Sequence, residues 1–279
     1  MKLTAWISVI DLYPVRLSNI EKLVRVVFGE KPMFKDHTPE EVFARLKKAG
    51  TDGAELLIPY YTTDKNIRDV KGLLRTNKVP VFSIHQSLSH VSVIELSEIE
   101  RLCSVANLFS ARVIVLHAGS LGKKLFDSSF ISFLKQLEKK LDVIFGIENM
   151  PKTIYYLHRR YTYKAKTFAD LLDRQKLSMT FDVTHLAQAG GDVGDFYIKN
   201  KQEIVNIHIS DFKEHWLNRY FLQQKYTHLP LGKGTIPMQK LLTLLKETHY
   251  DGLVTMEIDG TLEEICESAR MIKRLTCNP

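Results

Sequence analysis

The sequence predicts an α/β protein, a single closed (β/α)8 TIM barrel with its active site at the C-terminal ends of the strands. Three observations predict it. Short apolar runs alternate with longer amphipathic runs along the whole chain. Eight of the short runs have strand length. Six of those eight end on a histidine, glutamate or aspartate.

The strands are expected at Leu3–Ile10, Gly53–Ile58, Val79–His85, Val113–His117, Val143–Glu148, Ser178–Asp182, Ile204–His208 and Leu253–Glu257. Helical periodicity marks Pro39–Ala49, Asp64–Thr76, Glu95–Phe109, Ser129–Lys140, Thr167–Gln175, Pro237–Thr248 and Leu262–Leu275. Thr38 before Pro39 is an N-terminal signal, and so is Thr167 before an apolar period. Gly50 is a C-terminal stop. Ser18–Phe28 reads as an additional helix in the first connection, followed by a polar loop around Gly29–His37. Two connections are long, Asn149–Lys166 and Ile209–Ile236, and loops of that length usually carry function. No internal repeat, low-complexity tract or linker divides residues 1–279, so one domain is expected.

Strand three ends on His85, four on His117, five on Glu148, six on Asp182, seven on His208 and eight on Glu257. In a barrel of this kind those ends ring one axis. Each residue alone has an ordinary structural explanation, as a core histidine, a salt-bridge partner or a cap. Six at once is harder to explain without a ligand, because buried charge is unfavourable unless paired or metal-bound. The set Glu148, Asp182, His208 and Glu257 suits a divalent metal: Mn, Mg, Co or Zn. His85 and His117 could hold a second ion by sharing Glu148, or bind a substrate hydroxyl. His185 follows Asp182 by three residues and opens the next turn. His228 precedes Gly232 and Gly234, which permit close backbone approach to a ligand. Lys233 between them is followed by no Lys-Ser/Thr pair, so the segment is not a P-loop and no nucleotide cofactor is expected.

Composition bounds the rest. Length of 279 residues fits one barrel, and no apolar stretch is long enough to span a bilayer. The N-terminus reads as a first strand and not as a signal peptide. Cys103, Cys266 and Cys277 are few and scattered, which suits a reducing cytoplasmic location and excludes a zinc knuckle. A net charge of +7 permits an anionic ligand.

These motifs together resemble the xylose-isomerase-like barrels, a superfamily of sugar and sugar-phosphate isomerases and epimerases that also includes the second family of apurinic endonucleases. The resemblance is carried by Val-Leu-His-Ala-Gly-Ser around His117, Ile-Glu-Asn-Met-Pro at Glu148 and Phe-Asp-Val-Thr-His at Asp182 and His185. It continues in Ile-His-Ile-Ser-Asp at His208, His-Leu-Pro-Leu-Gly-Lys-Gly at His228 and Met-Glu-Ile at Glu257. By likeness to the isomerases, Glu148, Asp182, His208 and Glu257 would hold one metal. Glu148 and Glu257 would be catalytic, trading a proton on opposite faces of a ketose through an enediolate. His185, His228, Lys213 and His117 would bind substrate. Many ketose epimerases carry an arginine six residues after the strand-seven histidine, where this chain has Glu214 beside Lys213.

By likeness to the endonucleases, His85 and His117, the four-residue set, and His185 with His228 would hold three zinc ions. The ninth expected ligand, an aspartate, is Tyr226 here. Basic and aromatic residues interleave in 155–166 and in the segment carrying Trp216, Arg219, Tyr220, Phe221, Lys225 and Tyr226. Such loops grip phosphates and stack on bases, bind one sugar phosphate, close as a lid, or form a homo-oligomer contact. The leading expectation is a metal-dependent sugar or sugar-phosphate isomerase or epimerase. An apurinic-site phosphodiesterase acting on nucleic acid is the alternative, and a carbohydrate-binding barrel without turnover the third. Dehydratase chemistry on cyclic polyols fits the same scaffold.

Overall fold

The computed structural model describes residues 1–12, 34, 36–59, 62–87, 94–151, 164–215 and 226–276. The expected helix Ser18–Phe28, nearly all of the polar loop after it, and most of the two basic–aromatic segments lie outside them.

Eight parallel strands close into a barrel in sequence order, each pairing with the next and the last with the first. The first half runs β1 (Lys2–Ser8), α1 (Val9–Leu12), α2 (Pro39–Ala49), β2 (Gly53–Ile58), α3 (Asp64–Thr76), β3 (Val81–Gln86), α4 (Leu96–Phe109) and β4 (Val113–His117). Then come α5 (Ala118–Leu121), a 3-10 turn (Gly122–Phe126), α6 (Ser128–Leu141), β5 (Ile144–Glu148) and α7 (Ala165–Gln175). The chain continues through β6 (Ser178–Asp182), α8 (Val183–Gln188), α9 (Val193–Asn200), β7 (Ile204–Ile209), α10 (Met238–Glu247), β8 (Leu253–Met256) and α11 (Leu262–Thr276).

Local chemistry sets the helix ends. Thr38 and Glu41 form a reciprocal capping box at α2, with Pro39 in the first turn. Gly50 ends that helix at φ 104°, a left-handed value that glycine adopts without strain. Asp182 and Asp192 accept backbone N–H groups at the starts of α8 and α9. These two helices carry no recognisable period in the sequence: one is six residues long and the other eight, with Gly194 near its start. The expected strand Leu3–Ile10 stops at Ser8, because the chain turns helical at Val9.

Strand alternation separates two interiors. Leu3, Ala5 and Ile7 on β1 face outward into the main apolar core, which packs the barrel wall against the helices. Thr4 faces the lumen, as do the inward residues of other strands: Glu55, Ser83, Asn206 and Thr255. The proof is a bond that crosses it. Asn206 on β7 donates to Glu55 on β2 at 2.9 Å, although β8 and β1 lie between those strands in the wall. A small apolar cluster of Val113, Val115 and Leu253, with Phe82 and Val205 against it, is separate from the main core. Thr4, Thr255, Asn206, Glu55 and Ser83 thus form a hydrogen-bonded polar column in the lumen, and the residues that end the strands stand at its top.

Candidate metal and acid–base centre

Six strand-end side chains meet at the mouth. Glu148, 1 % exposed, is their hub. Its Oε2 lies 3.4 Å from Nε2 of His85 and 3.3 Å from Nε2 of His117. Its Oε1 lies 3.3 Å from Nδ1 of His185 and 3.5 Å from Nδ1 of His208. Glu257 Oε2 stands 2.8 Å from the same Nδ1 of His208, and its side chain is 13 % exposed.

The geometry forms two groups. Ligand-capable atoms of His85, Glu148, His208 and Glu257 lie within 4.8 Å of one another; those of Asp182, His185 and His228 do the same. Asp182 thus gathers with His185 and His228, whereas the sequence reading set it beside Glu148, His208 and Glu257. The groups touch at Glu148 and His185. Lys213 is exposed at the rim.

Neighbouring main chain orients the imidazoles. Nδ1 of His85 lies 2.7 Å from the carbonyl of Gln86, which can only accept, so Nδ1 carries the proton. Nε2 of His85 is thereby turned toward the Glu148 carboxylate, which raises the imidazole above its ordinary range against the effect of burial. Asn149 clamps the end of β6, accepting from Asp182 N at 2.7 Å and donating to Asp182 O at 2.9 Å. Its own carbonyl receives Nδ1–H of His185 at 2.9 Å. His228 sits at φ 51°, a strained value for a residue with a side chain. Its ring meets that of His185 edge-on at 5.3 Å.

Titration follows from this crowding. Burial pushes the Glu148 carboxyl up, but His185, His208 and His85 outweigh it and hold it well below its ordinary range. Burial also raises Glu257, and His228 and His208 reverse that to a lowered value. Asp182 is raised by burial despite His185. His185 resists burial through Asp182 and Glu148 and is pushed up to about 9. His117 is pushed down to about 4 by burial, only partly offset by Glu148.

A divalent cation fits this constellation. His85 Nε2, Glu148 Oε2, Asp182 Oδ2, His208 Nδ1 and Glu257 Oε2 are all buried with no hydrogen-bond partner among the described residues. Orphaned buried polar atoms on this scale are rare in native interiors. Convergent imidazoles and carboxylates are the donor set of a metal site.

Two further features were not read from the sequence. Glu55 is a fully buried carboxylate whose Oε1 lies 3.0 Å from Nε2 of His208. The available signal was a charged residue inside the apolar strand run Gly-Ala-Glu-Leu-Leu-Ile. Asp211, one residue past Ser210 in the His208 motif, accepts backbone N–H groups from Phe212, Gly232, Gly234 and Ile236. The close backbone approach expected at Gly232 and Gly234 is therefore made to Asp211 of the same chain. Tyr226, in the place of the ninth zinc ligand, stacks flat on His215 with ring centres 4.2 Å apart.

The sequence profile of the xylose isomerase-like TIM barrel family matches residues 43–275. The chain belongs to that family. An uncharacterized protein of Mycobacterium leprae is 25 % identical over 242 residues, covering 78 % of this chain and 83 % of the relative. An inosose dehydratase of Clostridium perfringens is 22 % identical over 275 residues, covering 87 % and 91 %. Among solved structures, the apo 3-keto-D-glucoside 4-epimerase from E. coli superposes with a TM-score of 0.66 at 16 % identity, covering 98 % of this chain and 99 % of that one. Relatives and neighbours with a named reaction thus include a dehydratase and an epimerase, and the buried His, Glu and Asp groups of this chain could hold a metal. None of the described helices is long and apolar enough to cross a membrane.

Proposed function

We propose that this protein is a divalent-metal-dependent isomerase or epimerase of sugars or sugar phosphates, acting by proton transfer through an enediolate. One observation carries the reading: Glu148 and Glu257, from strands on different sides of the mouth, both face Nδ1 of His208 and both keep an unpartnered oxygen.

His85, Glu148, His208 and Glu257 would hold a divalent cation, with Asp182 at the neighbouring group. Bound there, a divalent cation would supply Lewis acidity to the substrate carbonyl and offset the negative charge that develops on it. Glu257, the more open carboxylate, removes or returns the proton on the solvent side of the ketose. Glu148 performs the complementary transfer from the enclosed side. His117, His185 and His228 donate to substrate oxygens, and Lys213 at the rim attracts a phosphate. Incubation with a panel of ketoses and ketose phosphates in deuterated water tests the proposal. Deuterium at the carbon beside the carbonyl supports it. Absence of exchange across the panel, with metal loaded, rejects it.

A second reading has its own observation. Asp182, His185 and His228 form a separate ligand-capable group, so more than one ion can be accommodated. Three zinc ions per chain, with nicking of an abasic duplex that His228→Ala abolishes, would favour the phosphodiesterase.

A further inference from the structure

The polar column below the site is ordered, and its order ends on Glu55. Thr255 Oγ1 donates to Asn206 Oδ1 at 2.9 Å, so the hydroxyl of Thr4, 2.8 Å from Thr255, supplies the proton between those two. With Oδ1 of Asn206 accepting, its Nδ2 faces Glu55 Oε2 as donor, at 2.9 Å. Ser83 Oγ donates to the same oxygen at 2.6 Å. Two donors therefore occupy Oε2. The other oxygen, Oε1, is buried and lies 3.0 Å from Nε2 of His208, and neither atom has another hydrogen-bond partner among the described residues. A carboxylate offers only acceptors, so the ring nitrogen opposite it must carry a proton.

From this we infer that Glu55 is a positioning residue, which fixes His208 with its proton on Nε2 so that Nδ1 is presented bare to a divalent cation between Glu148 and Glu257. The inference rests on the metal-dependent reading above. It assigns a role to the cross-lumen strut: β2 orients a ligand on β7 through the barrel and not through the wall. Carboxylates behind ligating imidazoles work in this way generally, fixing the tautomer and the ring plane.

The isosteric change Glu55→Gln sharpens the test. Ser83 and Asn206 both donate, so they take the amide oxygen and turn the amide NH2 toward His208. Nε2 must then accept, and the proton moves to Nδ1, the atom the cation needs. We expect Mn2+ affinity, measured by titration calorimetry, to fall about 10–100-fold in Glu55→Gln. In 15N-histidine-labelled, zinc-loaded wild type, the resonance lost in His208→Asn should report hydrogen on Nε2. Equal Mn2+ affinity in wild type and Glu55→Gln overturns the inference while leaving the metal reading in place. Hydrogen on Nδ1 of His208 in the wild type overturns it whether or not the variant folds. A wild type that binds neither Mn2+ nor Zn2+ overturns the metal reading itself.

Discussion

Nδ1 of His208 and Oε2 of Glu257 stand 2.8 Å apart, yet neither atom makes an aligned hydrogen bond. The pair has the spacing of a bond without its direction. Glu148 Oε1 lies 3.5 Å from the same ring nitrogen. A cation bound there would stabilise the folded state, because the unfolded chain has no assembled site. At a hundredfold excess over Kd the gain is about 2.7 kcal/mol. For a barrel of this size that is a rise in Tm of about 5–10 °C. Thermal melts of chelator-treated protein, with and without Mn2+, measure it; superimposed melts would count against the site.

The two glutamates should differ from their neighbours in what they do to chemistry. Glu148→Gln and Glu257→Gln remove a proton carrier and are expected to lower solvent deuterium exchange by about 10²–10⁴-fold. His185→Gln should act mainly on substrate binding, raising KM more than it lowers kcat. Equal exchange in wild type and both glutamate variants would remove them from the proton pathway.

Proton and metal compete at this site, and the direction is fixed by the histidines. His185, pushed up to about 9, is protonated across neutral pH in the metal-free protein. Its contribution to metal-free stability is fully present below about pH 6.5 and lost as pH rises through about 9. His117 runs the other way: held down to about 4, it favours the folded state above about pH 6.5, and that contribution is lost as pH falls toward 4. Metal binding displaces protons, so affinity should climb with pH until about 9. Calorimetry in buffers of different ionisation enthalpy counts the protons released. A pH-independent affinity between 6 and 9 would contradict the arrangement.

The Asp211 knot makes a stability prediction away from the metal. A Cβ on Gly234 would stand closer to Asp211 Oδ1 than any real contact allows, and also against the backbone oxygen of Phe212. Gly234→Ala should destabilise the fold by about 1–3 kcal/mol. Asp211→Asn, which leaves one acceptor for four N–H groups, should do at least as much. Both should disturb His228, whose segment is tied to Asp211 through the Asp211–Leu229 bridge. Chemical denaturation gives the size. An undiminished midpoint in either variant would show the knot to be slack.

Much of this was legible in the sequence because strand ends leave a distinct trace. His117, Glu148 and Asp182 each terminate an apolar run, and each is the last residue of its strand. Short apolar runs carry the eight strands, and amphipathic period carries the long helices. What escaped was information that crosses the barrel. Glu55 sits inside a strand whose six residues are all buried, and only its partner on β7 explains a charge there. The grouping of Asp182 with His185 and His228 depends on side-chain directions at the start of α8, which spacing does not fix. Asp211 closes the Ile-His-Ile-Ser-Asp motif, but its role depends on a loop more than twenty residues later. The short helices α8 and α9 lack the length to show a period.

The central claim is that His85, Glu148, His208 and Glu257 enclose a divalent cation. Elemental analysis of purified, dialysed protein tests it most directly, run beside a Glu148→Gln, His208→Gln double variant. The account predicts at least one equivalent of Mn, Mg, Co or Zn per chain in the wild type and loss of that equivalent in the folded variant. Sub-stoichiometric metal in the wild type after incubation with each ion, or equal metal in both proteins, would contradict it.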